Sequence, residues 1–535
     1  MKKLQLWFPL LFALILIAGM WIGFRLRKNI PESQGFFSRN KTSSLQEVMN
    51  LLKTKYVDSV AADSLTEDAI QAMLVKLDPH TVYIPAVYTT EANEDLKGNF
   101  EGIGIEYYII EDTIHAISVL EGGPSFKAGL QIGDKFIKVS DSVVAGTKIT
   151  TERIKKLFRG EAGSNVAVTV LRGSNSVTTT IARGTIPKYA VDAAYMMDAT
   201  TGFIHLNKFS RTAYEEFMQS MEKLQKLGMK KLIFDLRGNG GGILDEAVDI
   251  ADEFLDSSKL VLFTKGLHAD RRNYNCKRPG LFETGELVLL VDEFSASASE
   301  VLAGALQDWD RATVIGRRTF GKGLVQEPFD LSDGSQLRLT VSKYYTPVGR
   351  NIQKPFTKNH QDYREEVYDR FHNGEADKED TVHHNGQVFL TFKKKRKVYG
   401  GGGITPDIFI PFDTTHYSRN LSALFADRTF SKFIYNSYLQ NPGYYKQFKS
   451  ATDFANKFEY KEDNLKQLID YAKKDSIYIE GLTPKDKTEL KNRFKSYMAM
   501  QVWRMEGYYE VVNQTDPLVI KGLGLMSMKS DTKTR

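Results

Sequence analysis

Three serines spaced two apart, Ser295, Ser297 and Ser299, lie in LVLLVDEFSASASEVLAGALQDWD (residues 287–310), the stretch of this 535-residue chain best suited to chemistry. Residues 287–291 read as a buried strand, and Val301, Leu302, Ala305, Leu306 and Trp309 form the apolar face of a helix that follows. A serine at a strand-to-helix corner sits where unpaired amides point outward and the helix dipole favours negative charge. That position suits a nucleophile with an oxyanion hole, and it suits plain N-capping equally well. A nucleophilic serine needs a base. The nine histidines include no HExxH pair, and no G-x-S-x-G elbow occurs. A lysine serves instead if burial lowers its pKa enough for the neutral amine to take a proton. Lys322, between Gly321 and Gly323, follows the apolar strand 312–315 on a turn tight enough to aim it inward; the alternative is a solvated loop lysine.

The same segment raises a rival chemistry. Residues 316–322 match the first seven positions of a phosphate-binding Walker A loop. Gly323 then stands where Ser or Thr would hold magnesium, and Leu324 to Pro328 does not begin a helix, so the phosphate cradle is lost.

The elements that must position these residues alternate. A strand at 202–206, a helix at 214–227 and a strand at 231–236 precede the glycine loop 238–242. A helix at 243–254 follows, a βαβ-type pattern. Residues 98–186 carry short strands between glycine turns and one helix at 151–157, and residues 45–77 carry helical apolar spacing. After Pro411 the chain becomes rich in Tyr, Lys and Leu, with Thr483-Pro484 as the N-cap and first residue of a late helix. No repeat appears at a solenoid period.

Composition is that of a multidomain globular protein: 42% hydrophobic and 26% charged, with 72 basic against 66 acidic residues. A net charge of +6 is too small for a nucleic-acid reader, and the basic run 393–397 reads as a solvated edge. The single cysteine, Cys276, excludes an intrachain disulfide framework and Cys-based metal knuckles. Residues 4–24 form an uncharged run long enough to cross a bilayer, with Lys2 and Lys3 before it and Arg25, Arg27 and Lys28 after it. It reads as an uncleaved N-terminal anchor whose orientation the basic residues on both sides leave open; a body facing the periplasm from a bacterial inner membrane is an expectation that rests only on the family resemblance carried by the motifs that follow.

Eight motifs in order resemble the C-terminal processing peptidases, also called tail-specific proteases. They are LDPHTVYIP (77–85), GIGIE (102–106), GPSFKAGLQIGD (123–134), DLRGNGGG (235–242), SASASEVLAGALQD (295–308), TFGKGLVQ (319–326), TPVGRNIQKP (346–355) and GGGITPD (401–407). The resemblance implies an α/β protease core with a crotonase-like layer, an inserted PDZ domain, and an activity that needs no metal or cofactor. It places the nucleophile on Ser297, the general base on Lys322 and a lysine-orienting glutamine on Gln326, with Asp308 as a supporting acid. The Ala298 amide, with that of Gly241 or Gly242, would form the oxyanion hole. Gly102, Ile103, Gly104 and Ile105 would hold a substrate's terminal carboxylate while the next strand pairs with its backbone. The expected divisions are an anchor at 1–28, a stalk and helical segment at 29–95, PDZ at 96–186, protease core at 187–412 and a helical domain at 413–535. Expected partners are proteins with exposed C-termini, the membrane, a regulatory or adaptor protein and a second copy of the chain. From the residues alone Ser295 and Ser299 stay open as nucleophiles, and a tethered PDZ adaptor with an inert core stays open as a function.

Overall fold

A computed structural model describes residues 8–27, 43–356, 360–378, 387–413 and 419–531. The chain divides into two compact units, Met1–Ala72 and Met73–Arg535. The first carries helix Phe8–Arg27 and helix Ser44–Lys55, whose N-cap Ser43 accepts from the Gln46 amide at 3.3 Å. Residues 4–7 of the expected anchor lie outside the described residues, and the helix instead runs on through Arg25 and Arg27. Among the described residues no helix is long and apolar enough to cross a membrane.

In the second unit the core is a six-stranded sheet in the order Val191–Met196, Thr201–Leu206, Lys231–Asp235, Glu286–Val291, Thr313–Gly316, Ile408–Phe409. The first pair is antiparallel and the rest parallel. Helices Ala213–Lys226, Leu244–Asp252 and Ala298–Asp308 provide the crossovers and pack against Ile204, Leu232, Phe234, Leu289 and Val314. Alternate residues of the same strands, Phe203, Ile233, Val288, Leu290 and Ile315, meet Leu518, Val519 and Met526 of helix Pro517–Asp531. Burial on both faces is why these strands are continuous apolar runs in sequence.

A second, antiparallel sheet stands beside the serine corner. It joins Val82–Ile84, Gln336–Tyr345, Leu260–Lys265 and Arg272–Asn275, with Leu324–Asp330 hairpinned onto Gln336–Tyr345. The expected β-rich insertion forms its own sheet, Ile105–Ile110, Thr113–Val119, Lys135–Val139, Asn165–Arg172 and Asn175–Ala182. Helix Thr151–Phe158 closes its core through Ile154 and Phe158. Among the described residues, strand Ile105–Ile110 pairs on one side only. The tail forms helices around Phe433, Phe454, Leu468, Phe494 and Met498. Its long helix Pro484–Val512 starts where Thr483 Oγ1 accepts from the Asp486 amide at 3.1 Å.

Candidate functional site

The three serines have different fates. Ser295 is fully buried, its hydroxyl donating to the Leu236 carbonyl at 2.8 Å. Ser299 is fully buried and donates to the Asn239 carbonyl at 2.8 Å. Both stitch the serine corner to the strand and glycine loop beside it. Ser297 alone of the three lines a cleft of about 1020 Å³, together with Lys322, Gln326, Ala298, Gly241, Gly242 and Tyr344. Its backbone stands at φ +55°, ψ −112°, a region that costs a non-glycine residue on the order of 1–3 kcal/mol. Surrounding bonds hold it there: the Ser297 amide donates to Glu300 Oε2 at 2.9 Å, and its carbonyl accepts from the Val301 amide at 2.9 Å.

The glycine loop lies against this corner without room for side chains. A Cβ on Gly241, at φ +92°, would stand 2.6 Å from the Ala296 carbonyl oxygen and 2.8 Å from Ser297 Cβ. A Cβ on Gly242 would stand 2.2 Å from the Phe209 carbonyl oxygen. Buried Asn239 fixes the loop through its carbonyl, which accepts from the Ala296 amide at 3.0 Å, and its side chain, which donates to Leu206 O at 2.8 Å. The Asn239 Oδ1 also takes the Gly241 N–H, at 2.8 Å. Among the described residues, neither the Ala298 nor the Gly242 amide has a protein acceptor. The two glycines thus differ: one amide is committed inward and the other is open.

Lys322 sits on a segment, residues 319–323, with no regular structure of its own, so its backbone groups need outside partners. All of them have one. The amides of Thr319, Phe320, Gly321, Lys322 and Gly323 go respectively to Ile404 O, Ser295 O, both oxygens of Glu300, and Gln353 Oε1. The carbonyls accept from Arg370, from the Lys354 amide, and from the Tyr344 hydroxyl and amide. The Lys322 ammonium, by contrast, has no hydrogen-bond partner among the described residues. Burial pushes its pKa below the ordinary lysine value, while the Glu300 and Asp78 carboxylates pull the other way.

Glu300 is the functional residue that sequence reasoning passed over. Its fully buried carboxylate accepts Thr319 Oγ1 and Gly321 N at 2.5 and 2.7 Å on one oxygen. The other oxygen accepts Ser297 N and Lys322 N at 2.9 and 2.8 Å. One side chain therefore sets the nucleophile corner against the lysine segment. Burial raises its pKa, opposed by these donors. The S-x-x-E spacing of a capping box was the available signal.

Gln326 lines the same cleft, but its amide nitrogen donates to Thr340 Oγ1 at 3.2 Å. A bulge between Val325 and Gln326 also breaks the simple i, i+4 face-sharing expected of an extended strand. Thr340 Oγ1 in turn donates to Asp78 Oδ1 at 3.1 Å, which brings the LDPHTVYIP motif to the site. Neighbouring His80 is held neutral, its pKa lowered to about 4 by burial and by Lys322. Asp308 is not brought to the cleft. It ends the nucleophile helix roughly 15 Å from Ser297 by helical rise, fully buried and ion-paired with Arg350 at 2.7 Å.

In the β-rich domain, residues Ile103 and Gly104 are buried, yet their amides have no protein acceptor among the described residues. Gly102 ends strand Asn99–Gly102, Gly104 adopts φ +74°, and Ile105 begins the strand with the unpaired edge. Among the described residues no cluster of His, Cys, Asp or Glu could hold a metal ion.

Three family models match parts of the chain. Residues 200–362 match the model of peptidase family S41, residues 102–182 the PDZ domain, and residues 420–504 a family of unknown function, DUF8443. A probable CtpA-like serine protease of Staphylococcus epidermidis is 35% identical over 318 residues, covering 59% of this chain and 64% of that protein. One of Staphylococcus aureus strain N315 is 36% identical over 314 residues, covering 58% and 62%. The chain thus spans less than two thirds of the length of these relatives. Among solved structures, the photosystem II D1 C-terminal processing protease is 27% identical with a TM-score of 0.37, covering 69% of this chain and 86% of that one.

Proposed function

We propose that this chain, a member of the C-terminal processing peptidases by its S41 core and PDZ domain, is a serine endopeptidase that uses Ser297 and Lys322 as a nucleophile–base pair. One observation carries the reading: of three candidate serines only the strained one lines the cleft, and it shares that cleft with a half-buried lysine whose ammonium has no partner among the described residues. Neutral Lys322 takes the Ser297 hydroxyl proton as the oxygen attacks the scissile carbonyl. The Ala298 and Gly242 amides receive the oxyanion, with Gly241 supplying the close approach. Protonated Lys322 then gives its proton to the leaving amine, and water, deprotonated by the same amine, releases the acyl-enzyme. Gln326 shares the cleft with the lysine, its amide nitrogen held by Thr340 Oγ1.

Substrate enters as a protein C-terminus. The open amides of Ile103 and Gly104, in the loop that runs from Gly102 to Ile105, receive a terminal carboxylate, and the free edge of Ile105–Ile110 adds the peptide as a further strand. The test is intact-mass analysis of a disordered protein with a free apolar C-terminus, incubated with wild type and with Ile103→Asp. The reading expects cleavage that falls when the substrate's C-terminus is amidated or Ile103 is replaced. Equal cleavage in every case refutes the PDZ part. Tight tail binding without cleavage by wild type would instead support an adaptor.

A further inference from the structure

We infer that helix His360–Asp369 and the turn after it are a positioning element for the general base, acting through Arg370 and Tyr363 on the backbone that carries Lys322. The inference rests on the Ser–Lys reading above. Tyr363, Glu366 and Arg370, spaced three and four apart, share one face of helix His360–Asp369 and the turn after it. Tyr363 is 3% exposed and Arg370 2%. The Arg370 guanidinium donates to three successive carbonyls, Arg318 and Thr319 at 2.9 Å and Phe320 at 3.3 Å. Glu366 fixes that guanidinium through two bonds of 2.9 Å. Burial works against ionisation of Glu366, yet Arg370 and Lys354 hold its pKa down at about 2.

The same face reaches the other end of the segment. Gln353 Oε1 accepts the Gly323 amide at 2.8 Å, which turns its NH2 toward the Tyr363 oxygen at 3.0 Å. That oxygen is left to donate its own hydrogen to His80 Nε2, 3.0 Å away. One helix face thus clamps the lysine segment from residue 318 to residue 323. A lysine that lacks a hydrogen bond on its own ammonium owes its position to its backbone, so these contacts set where the base stands. The charged and titratable groups facing Lys322 are Glu300 on the nucleophile helix, Asp78 and His80 on the 78–81 turn, and Arg338 on the hairpin strand.

The test compares Arg370→Lys with Arg311→Lys in the full chain. Arg311 is a matched control: it too caps backbone carbonyls, those of Phe254, Phe282 and Gly285, away from Lys322. Cleavage kinetics are followed from pH 5 to 10, with thermal unfolding. Arg370→Lys is expected to lower kcat at least 10-fold with KM within about 3-fold. It should also move the rising limb of the pH profile upward by about one unit, because a loosened segment hydrates the lysine. Arg311→Lys should lower the melting temperature and leave kcat and the limb in place. If Arg370→Lys fails to fold, Tyr363→Phe decides, with the same signs expected at smaller size. Wild-type kcat and limb in the folded variant, or identical changes in Arg311→Lys, overturn the inference. Failure of the Ser–Lys reading is separate: it appears as cleavage surviving Ser297→Ala or Lys322→Ala.

Discussion

Replacing Glu300 by Gln keeps the shape of the side chain and removes one acceptor. Four donors converge on this carboxylate, two on each oxygen. The amide does least harm with its NH2 toward Thr319, whose hydroxyl oxygen then accepts. Its carbonyl oxygen keeps the Ser297 and Lys322 amides, and the Gly321 amide faces another donor. An orphaned buried amide costs about 1–3 kcal/mol, and two bonds lose their charge assistance at about 1 kcal/mol each. A neutral amide is easier to bury, which offsets part of this, so the expected loss is about 1–3 kcal/mol. Glu300→Ala would orphan all four donors and take the corner apart, so it is the less informative variant. Two functional effects follow from the Gln variant. The lysine segment shifts against Ser297, lowering kcat by roughly 10–100-fold. The carboxylate that raises the Lys322 pKa is gone, so the rising limb of the pH profile moves to lower pH. Urea unfolding and a kcat–pH profile on one substrate measure both. A limb that moves upward, or a folded variant with wild-type kcat, refutes Glu300 as an ionised strut between nucleophile and base.

Other variants probe separate parts. Gly241→Ala should abolish measurable cleavage, because the new methyl meets Ala296 O at 2.6 Å in a positive-φ position; a soluble, folded variant with more than a tenth of wild-type rate would contradict this. Asp308→Ala should destabilise by about 3–5 kcal/mol, since it strands buried Arg350, while the folded fraction keeps its kcat because the pair lies at the far end of the helix. His80, neutral in the fold with a pKa of about 4, should make stability fall with acid. Between pH 6.5 and 4 the unfolded chain takes up a proton that the folded one refuses, a loss of roughly 3 kcal/mol. His80→Gln should flatten that part of a urea-midpoint-against-pH curve, and an unchanged slope would remove His80 as its source.

The alternating core was legible because strong periodicities met sharp breakers. Strand Lys231–Asp235, the glycine loop and helix Leu244–Asp252 fall within two residues of the sequence reading. Thr483-Pro484 marked a helix start for the same reason, a cap side chain and a fixed φ acting within one turn. The antiparallel sheet beside the site was not read, because its strand Gln336–Tyr345 alternates weakly and pairs with Val82–Ile84 across a long stretch of chain. At the site itself, residue type and spacing pointed to the three-serine corner and to Lys322; the family resemblance put the nucleophile on Ser297, and burial now separates it from Ser295 and Ser299. Glu300 carried a capping-box spacing and was missed. Tyr344 and Arg370 carried no local signal, since their partners lie 22 to 52 residues away in sequence. Asp308 misled because a helix-end acid looks alike whether it faces a cleft or a buried arginine.

The central claim is that Ser297 and Lys322 are the nucleophile and its base. Its most direct measurement is cleavage of a disordered protein with a free apolar C-terminus by wild type, Ser297→Ala and Lys322→Ala, followed by intact mass, with circular dichroism showing that all three fold. The account predicts cleavage by wild type alone, with a rate that rises as pH passes the depressed pKa of Lys322. Equal cleavage by all three folded proteins would contradict it.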